Sequence, residues 1–308
     1  MPTKFVFLVL PHLHLLDLAG PDQVIHGAID FDADFAIEYC GIGLEVNTSA
    51  GLAIAKQVHY SKIKFSENDF LIIPGASVKY IQSNDFKANK ELFNWIYNCY
   101  QSKINIVSIC VGAFVLGYAG LLNNINCTTH FQFTAELQKN FPKAFVKENV
   151  LFQIDRRIYT SAGIVSGIDL LLHIIEGLTS SYLAHKVARE LVVYNRRDGT
   201  SPQNSIFLQF RNHIHNGIHE VQDYILENIH LPLLISDLAE VANMSERNFT
   251  RLFKQETGCT VNEYKTIIRV EKIKSLIKNA NLSRSQIAQK VGLKSEKQLT
   301  RIVKNALG

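Results

Sequence analysis

The sequence predicts a two-domain chain, a layered α/β domain followed by an all-α domain built on two helix-turn-helix units. Three observations lead there. Four apolar runs alternate with helical segments over residues 4–119. The composition then breaks at "NRRDGTSPQNS" (195–205), which carries Gly, Pro, Ser and charges and no hydrophobic period. Near the end a ten-residue segment recurs fifty positions on, as "SERNFTRLFK" at 245–254 and "SEKQLTRIVK" at 295–304.

The predicted strands are "KFVFLVL" (4–10), "FAIEYCG" (35–41), "DFLIIPG" (69–75) and "INIVSIC" (104–110). They are continuous apolar runs, the pattern of parallel strands covered on both faces. Helices are expected near 22–29, 86–101 and 111–119, which gives βαβ order and a layered sheet. "GIDLLLHIIEGLT" (167–179) and "SYLAHKVARELVVY" (182–194) read as longer helices with apolar faces. The expected division is a first domain over 1–195, a linker over 196–216 and a helical domain over 217–308. A chain of 308 residues with 47% hydrophobic content is sufficient for two such cores.

Charge is unevenly placed. Residues 216–308 hold 14 Lys and Arg against 10 Asp and Glu, which is the whole formal net charge of +4. Within 282–308 the balance is 6 against 1. A basic end on a neutral body points to nucleic acid contact or to a solvated helical face. The five cysteines (40, 99, 110, 127, 259) are odd in number and show no CxxC or Cys/His zinc spacing, which suits reduced thiols in a cytoplasm. The N-terminal apolar run is interrupted by Asp17 and Pro21 and has no small-x-small cleavage site, so no signal peptide is expected. No apolar run reaches the ~18 residues of a spanning helix. His12 and His14 stand at i, i+2 without a third ligand, so no metal is expected.

In the repeat, Phe249/Leu252/Phe253 and Leu299/Ile302/Val303 fall at i, i+3, i+4 on one helical stripe. Each copy opens on a Ser suited to N-capping, and the second adds Gln298 in capping-box position. A short helix precedes each copy, with Ala239 or Ala288 where two helices must approach closely, and Gly292 marks the second turn. This is helix-turn-helix logic, present twice. The outward positions carry Arg247, Thr250 and Arg251, then Lys297, Thr300 and Arg301. Arg and Lys can bond guanine edges or phosphates, and Thr can touch a thymine methyl. Two such helices could enter major grooves roughly 34 Å apart.

Residues 217–308 resemble the AraC/XylS family of bacterial transcription regulators, through "LPLLISDLAEVANMSERNFTRLFKQETGCTVNEY" and the linking "IIRVEKIKSLI". The resemblance implies base contacts from both recognition helices. The departures are Leu234 where a capping Ser is common, Thr260-Val261 for Ser-Pro, and Leu293 for Phe. The family commonly continues one short helix beyond the position of Gly308.

Residues 1–195 resemble the PfpI/isonitrile-hydratase-like branch of the class I glutamine amidotransferase-like superfamily. The matching blocks are "LLDLAGP" (15–21), "DFLIIPGA" (69–76), "SICVGAFVLGYAGLL" (108–122), "TTHF" (128–131) and "SAGIVSGIDLLLHIIE" (161–176). The resemblance implies a flavodoxin-like sandwich that dimerises. It also implies that Asp17 faces Cys110, that the Gly75 N–H lies near an oxyanion position and that His130 lines the pocket. The start of a helix after Cys110 should lower the thiol pKa. Each residue has a plainer role too: a buried thiol, a helix cap near Pro21, a core histidine. Val111 follows the cysteine where hydratase relatives often carry a hydroxyl, which favours a ligand pocket over an enzyme. The expectation is a cytoplasmic regulator without cofactor, dimeric, binding promoter DNA and a small polar, nitrogen-containing ligand at Asp17, Gly75, Cys110, Val111 and His130. RNA polymerase is a candidate further partner. The alternative is a thiol-dependent hydrolase or hydratase using Cys110 and Asp17, fused to a DNA-binding unit.

Overall fold

The apolar runs pair as parallel strands and bury almost every side chain they carry. The computed structural model describes residues 2–55, 57–193, 196–203, 209–277 and 282–307. The chain divides into two compact units, Met1–Gln203 and Asn204–Gly308. The first contains β1 (Thr3–Val9), α1 (Leu15–Asp30), β2 (Phe35–Gly41), β3 (Val58–His59), β4 (Phe70–Ile73), α2 (Lys90–Gln101), β5 (Asn105–Ile109), α3 (Gly112–Tyr118), β6 (Phe152–Asp155), β7 (Ile158–Ser161), α4 (Val165–Leu178) and α5 (Ser181–Glu190) as its principal elements.

The seven-stranded sheet has the order β6-β7-β5-β4-β1-β2-β3, parallel throughout except for the β6–β7 hairpin. Counting only β1, β2, β4, β5 and β7, the order is 2-1-3-4-5, the doubly wound flavodoxin-like arrangement. Phe5 to Val9, Leu71 to Ile73 and Ile106 to Val107 have no exposed surface, as strands covered on both faces require. Trp95, on α2, packs against Tyr60 at 5.0 Å and Phe65 at 6.1 Å.

The observed elements depart from the expected ones in four places. The helix expected at 22–29 begins at Leu15. Pro21 sits inside it, forfeiting only the bond to the Asp17 carbonyl, while Leu18, Val24, Ile25 and Ala28 hold the buried face. The span 86–101 breaks at Asn89, whose side chain accepts from the Leu92 N–H at 3.2 Å and starts α2 afresh. The β6–β7 hairpin was not anticipated, because its turn at Arg156–Arg157 carries no Gly, and Arg156 itself takes φ 58°. Residues 196–203, expected to open the linker, lie against the first unit instead. Arg197 pairs with buried Asp169, Arg196 pairs with Glu176, and the Gly199 carbonyl accepts from Leu151 N–H. Residues 194–195 and 204–208 of that region lie outside the described residues.

The second unit contains α6 (Asn216–Asn228), α7 (Ile235–Val241), α8 (Glu246–Thr257), α9 (Val261–Ile277), α10 (Arg284–Lys290) and α11 (Glu296–Leu307). Two small cores form within it, one around Val221, Ile225, Phe249, Phe253 and Tyr264, the other around Ile273, Ile287, Val291 and Leu299. The α9 helix supplies Tyr264 and Ile268 to the first core and Ile273 to the second. Its Lys265 donates to the Leu233 carbonyl at 2.8 Å and its Arg269 to the Val291 carbonyl at 3.1 Å. Thr260 and Glu263 cap it reciprocally, so the Thr that replaces Ser there keeps the capping function. No helix among the described residues is long and apolar enough to cross a membrane.

Candidate functional site

The parallel strands β1, β4, β5 and β7 all end on one edge of the sheet, and the site is built from the residues that follow them. In doubly wound sheets this edge, at the point where strand order reverses, is where ligands bind. The segment after β1 supplies His14 and Asp17. The segment after β4 supplies Gly75. Cys110 follows β5, and Gly163 and Ile164 follow β7. Two of these segments are tied together, since His14 N–H donates to the Gly75 carbonyl at 2.8 Å and Leu13 bridges Ala76.

Beside them is a cavity of about 490 Å³ with mostly apolar walls. Asp17, Cys110, Val111 and His130 line it. Gly75 does not; it lies beneath the pair, where a Cβ would meet Asp17 Oδ2 at 2.5 Å and Cys110 Cβ at 3.0 Å. Its lack of a side chain is what lets the acid and the thiol meet. The sequence reading missed Leu16, Val78, Phe133 and Ile164 on the wall, and considered His14 only as half of a metal pair. No group of three or more metal-ligating side chains occurs among the described residues.

Cys110 takes φ 56° at the strand-to-helix turn, and Ile164 takes φ 53°. Left-handed backbone at a β-branched residue is strained and has to be held by its surroundings. Asp17 does the holding: its Oδ1 accepts from the Ile164 N–H at 2.6 Å. Gly163, at φ 94°, lies so close that a Cβ there would stand 2.3 Å from Cys110 Cβ. Asp17 Oδ2 is buried, and the thiol of Cys110 stands beside it.

The electrostatics reverse one expectation. The helix after Cys110 was expected to lower its pKa. The thiol is instead pushed well above its ordinary range, first by burial and then by the Asp17 carboxylate beside it. The Val111 N–H does bond the sulfur and acts in the lowering direction, but α3 is only seven residues long and burial wins. Burial also raises the Asp17 carboxyl, against the Ile164 N–H, His14, Cys110 and His130, which favour its charge. His130 is held below its ordinary value by burial, with Asp17 acting the other way. Its Nδ1 accepts from the Gln132 N–H at 3.4 Å, and its ring lies 4.5 Å from Phe131. At neutral pH these groups favour an uncharged thiol and an uncharged imidazole facing an apolar cavity.

The second candidate site is the pair of outward helical faces on α8 and α11. Arg247, Thr250, Arg251, Lys297, Thr300 and Arg301 are all exposed, while Phe249, Phe253 and Leu299 are buried beneath them. Ala239 and Ala288 are buried where α7 meets α8 and α10 meets α11. Arg251 is held in place by Asn248 at 3.0 Å and Gln255 at 3.3 Å. Thr250 and Thr300 donate their hydroxyls to the carbonyls of Glu246 (2.8 Å) and Glu296 (3.0 Å). Capping departs from expectation: Ser245 precedes α8 but makes no side-chain cap bond. In the second copy Gln298 reaches the Lys294 N–H at 2.9 Å and Ser295 accepts from Gln298 N–H at 3.4 Å.

Comparison with known proteins finds a family model within each unit. The DJ-1/PfpI family model matches residues 3–177, and a helix-turn-helix domain model matches residues 238–308. The transcriptional regulator GbdR of Pseudomonas aeruginosa is 26% identical over 202 residues, covering 65% of this chain and 54% of the relative. This chain thus spans about half of that relative's length. The transcriptional regulator CdhR of the same species is 23% identical over 303 residues, covering 98% of this chain and 88% of the relative. Among solved structures, an AraC family transcriptional regulator from Pseudomonas putida superposes with a TM-score of 0.53 at 23% identity, over 62% of this chain and all of that one.

Proposed function

The chain belongs to the DJ-1/PfpI family, and from that premise we propose that it is a sequence-specific DNA-binding transcription regulator whose first unit binds a small molecule. The observation that carries the reading is the duplicated recognition helix, with Arg247, Thr250 and Arg251 matched by Lys297, Thr300 and Arg301 on exposed faces over buried apolar stripes. Such paired basic faces are what major-groove readout uses.

The cavity supports the ligand half of the reading. About 490 Å³ falls within the range of roughly 300–1,000 Å³ typical of small-molecule sites, as does an apolar lining with few polar groups. Asp17 and His130 would orient a small, polar, nitrogen-containing ligand. Regulation would then be a population shift, in which ligand and DNA favour the same arrangement of the DNA-binding units. A homodimer in the cytoplasm, acting on promoter DNA and through it on RNA polymerase, completes the reading. The thiol held in its neutral form supports binding over conversion, because thiolate is the nucleophile.

The test is a salt-dependent gel shift against the chain's own upstream region. Arg251→Ala should weaken binding by about 1–3 kcal/mol and relax base preference at one position. Absence of any shift at low salt, with or without amino acids and amines, would sink the regulator. A thermal-shift screen of the same compounds tests the ligand half, since a ligand of the folded state raises the melting temperature.

A further inference from the structure

Residues 196–203 are bonded to the same two segments that wall the cavity. One segment is α4, which begins next to Ile164. Its Asp169, 4% exposed, receives Arg197 three ways: from Nε at 3.0 Å, from Nη2 at 2.6 Å and from the backbone N–H at 3.2 Å. Its Glu176 receives Arg196 at 2.7 Å. The other segment is 128–130. The Gln203 amide donates to the Thr129 carbonyl at 3.0 Å, the Val150 carbonyl at 2.9 Å and the Thr128 hydroxyl at 3.3 Å. Thr129 in turn donates its hydroxyl to the Cys110 carbonyl at 2.8 Å, and His130, the next residue, lines the cavity.

We infer that 196–203 is a strap through which occupancy of the cavity is reported to the DNA-binding unit. The inference rests on the reading of that cavity as a ligand site. The two ends of the strap are not equally secured. Arg197 neutralises a buried carboxylate, and separating that pair would leave a charge unpaired in the interior, so this end stays seated. Gln203 is held by neutral hydrogen bonds only, and its own Oε1 is buried with no donor, an unfavourable state that release would relieve. The weak end is the one beside Cys110 and His130, and in chain order it is the end next to the second unit, which begins at Asn204. A molecule that displaces His130 or the Thr129–Cys110 bond unseats Gln203 while Arg197 keeps the strap's base in place. By linkage, unseating Gln203 must loosen the cavity in return.

Hydrogen–deuterium exchange and iodoacetamide read the strap and the cavity in the full chain. Exchange of the Leu151 amide, which donates to the Gly199 and Ser201 carbonyls, reports the Gln203 end of the strap, and iodoacetamide reports the cavity through Cys110. Gln203→Ala should raise both the Leu151 exchange rate and the Cys110 alkylation rate about tenfold, while the Arg197 amide, which donates to Asp169, stays protected. Leu16→Trp fills the cavity from a half-exposed position and so leaves the core intact; it should raise Leu151 exchange by a similar factor. Circular dichroism confirms that each variant is folded. The inference is overturned if Gln203→Ala leaves the Leu151 amide protected, if it frees that amide while Cys110 alkylation stays within twofold, or if Leu16→Trp leaves the exchange unchanged. A protein that shows these changes but shifts no promoter fragment keeps the coupling and loses the regulator reading. One that binds DNA and shows none keeps the regulator and loses the strap.

Discussion

Asp17→Asn tests whether burial works against the charge of the acid beside the cavity. Asp17 has no exposed surface, and burial raises its carboxyl above the ordinary 3.8. In the unfolded chain the group ionises near that ordinary value. Between it and the higher folded value, the unfolded state binds fewer protons than the folded state. The contribution of Asp17 to stability is therefore greatest at low pH and is lost as pH rises towards the folded pKa. Asn keeps an oxygen to accept from the Ile164 N–H and offers an N–H where the protonated acid offers an O–H, with no charge to desolvate. The variant should match the parent near pH 4 and exceed it at higher pH. The gain should grow by about 1.4 kcal/mol for each pH unit up to the folded pKa and then level off. Asp17→Ala lacks the acceptor, leaves the Ile164 N–H unpaired at a strained backbone, and should cost about 1–3 kcal/mol even at pH 4. The assay is urea unfolding followed by the single tryptophan, Trp95, which packs in the first unit and reports that unit alone. The quantity to compare is the difference between variant and parent. Asp155 and Glu176 have lowered pKa values and give the opposite slope, but they are common to both chains and cancel. An Asn variant that is destabilised at pH 7 as much as the Ala variant would refute the reasoning, because the fold would then be stabilising the charge of the carboxylate.

Two further outcomes are expected. At pH 7–8 Cys110 should react with iodoacetamide about tenfold or more slowly than in the urea-unfolded chain, because burial and Asp17 keep the thiol protonated; mass spectrometry of the alkylated peptide gives the ratio. Phe253→Ala removes a fully buried ring from the first core of the second unit and should destabilise that unit by about 3–5 kcal/mol. It should abolish DNA binding in a gel shift while leaving the Trp95 unfolding transition where it was.

What could be read from the sequence, and what could not, divides by the range of the interaction. The runs at 4–10, 35–41, 69–75 and 104–110 each carry their own signal, because a strand buried on both faces must be apolar at every position. Phe249, Leu252 and Phe253 likewise declare a helical stripe within five residues. Cys110 could be placed at a strand-to-helix turn by the same local logic. Its ionisation could not, because that depends on Asp17, which lies 93 positions earlier in the chain, and on burial that only the assembled sheet creates. The local argument predicted a lowered thiol pKa and was overruled by the non-local one. The stretch 196–203 failed for the same reason. Its composition is that of a linker, and no periodicity within eight residues records that Arg197 meets Asp169, 28 positions back, or that Gln203 meets Thr128, 75 positions back. One local clue was available. Arg196 and Arg197 follow an apolar helix that carries Asp169 on its buried side, and a buried carboxylate requires a cation or several donors. That requirement could have marked one of the two arginines as a structural partner, leaving only the Gln203 anchor beyond the reach of sequence reasoning.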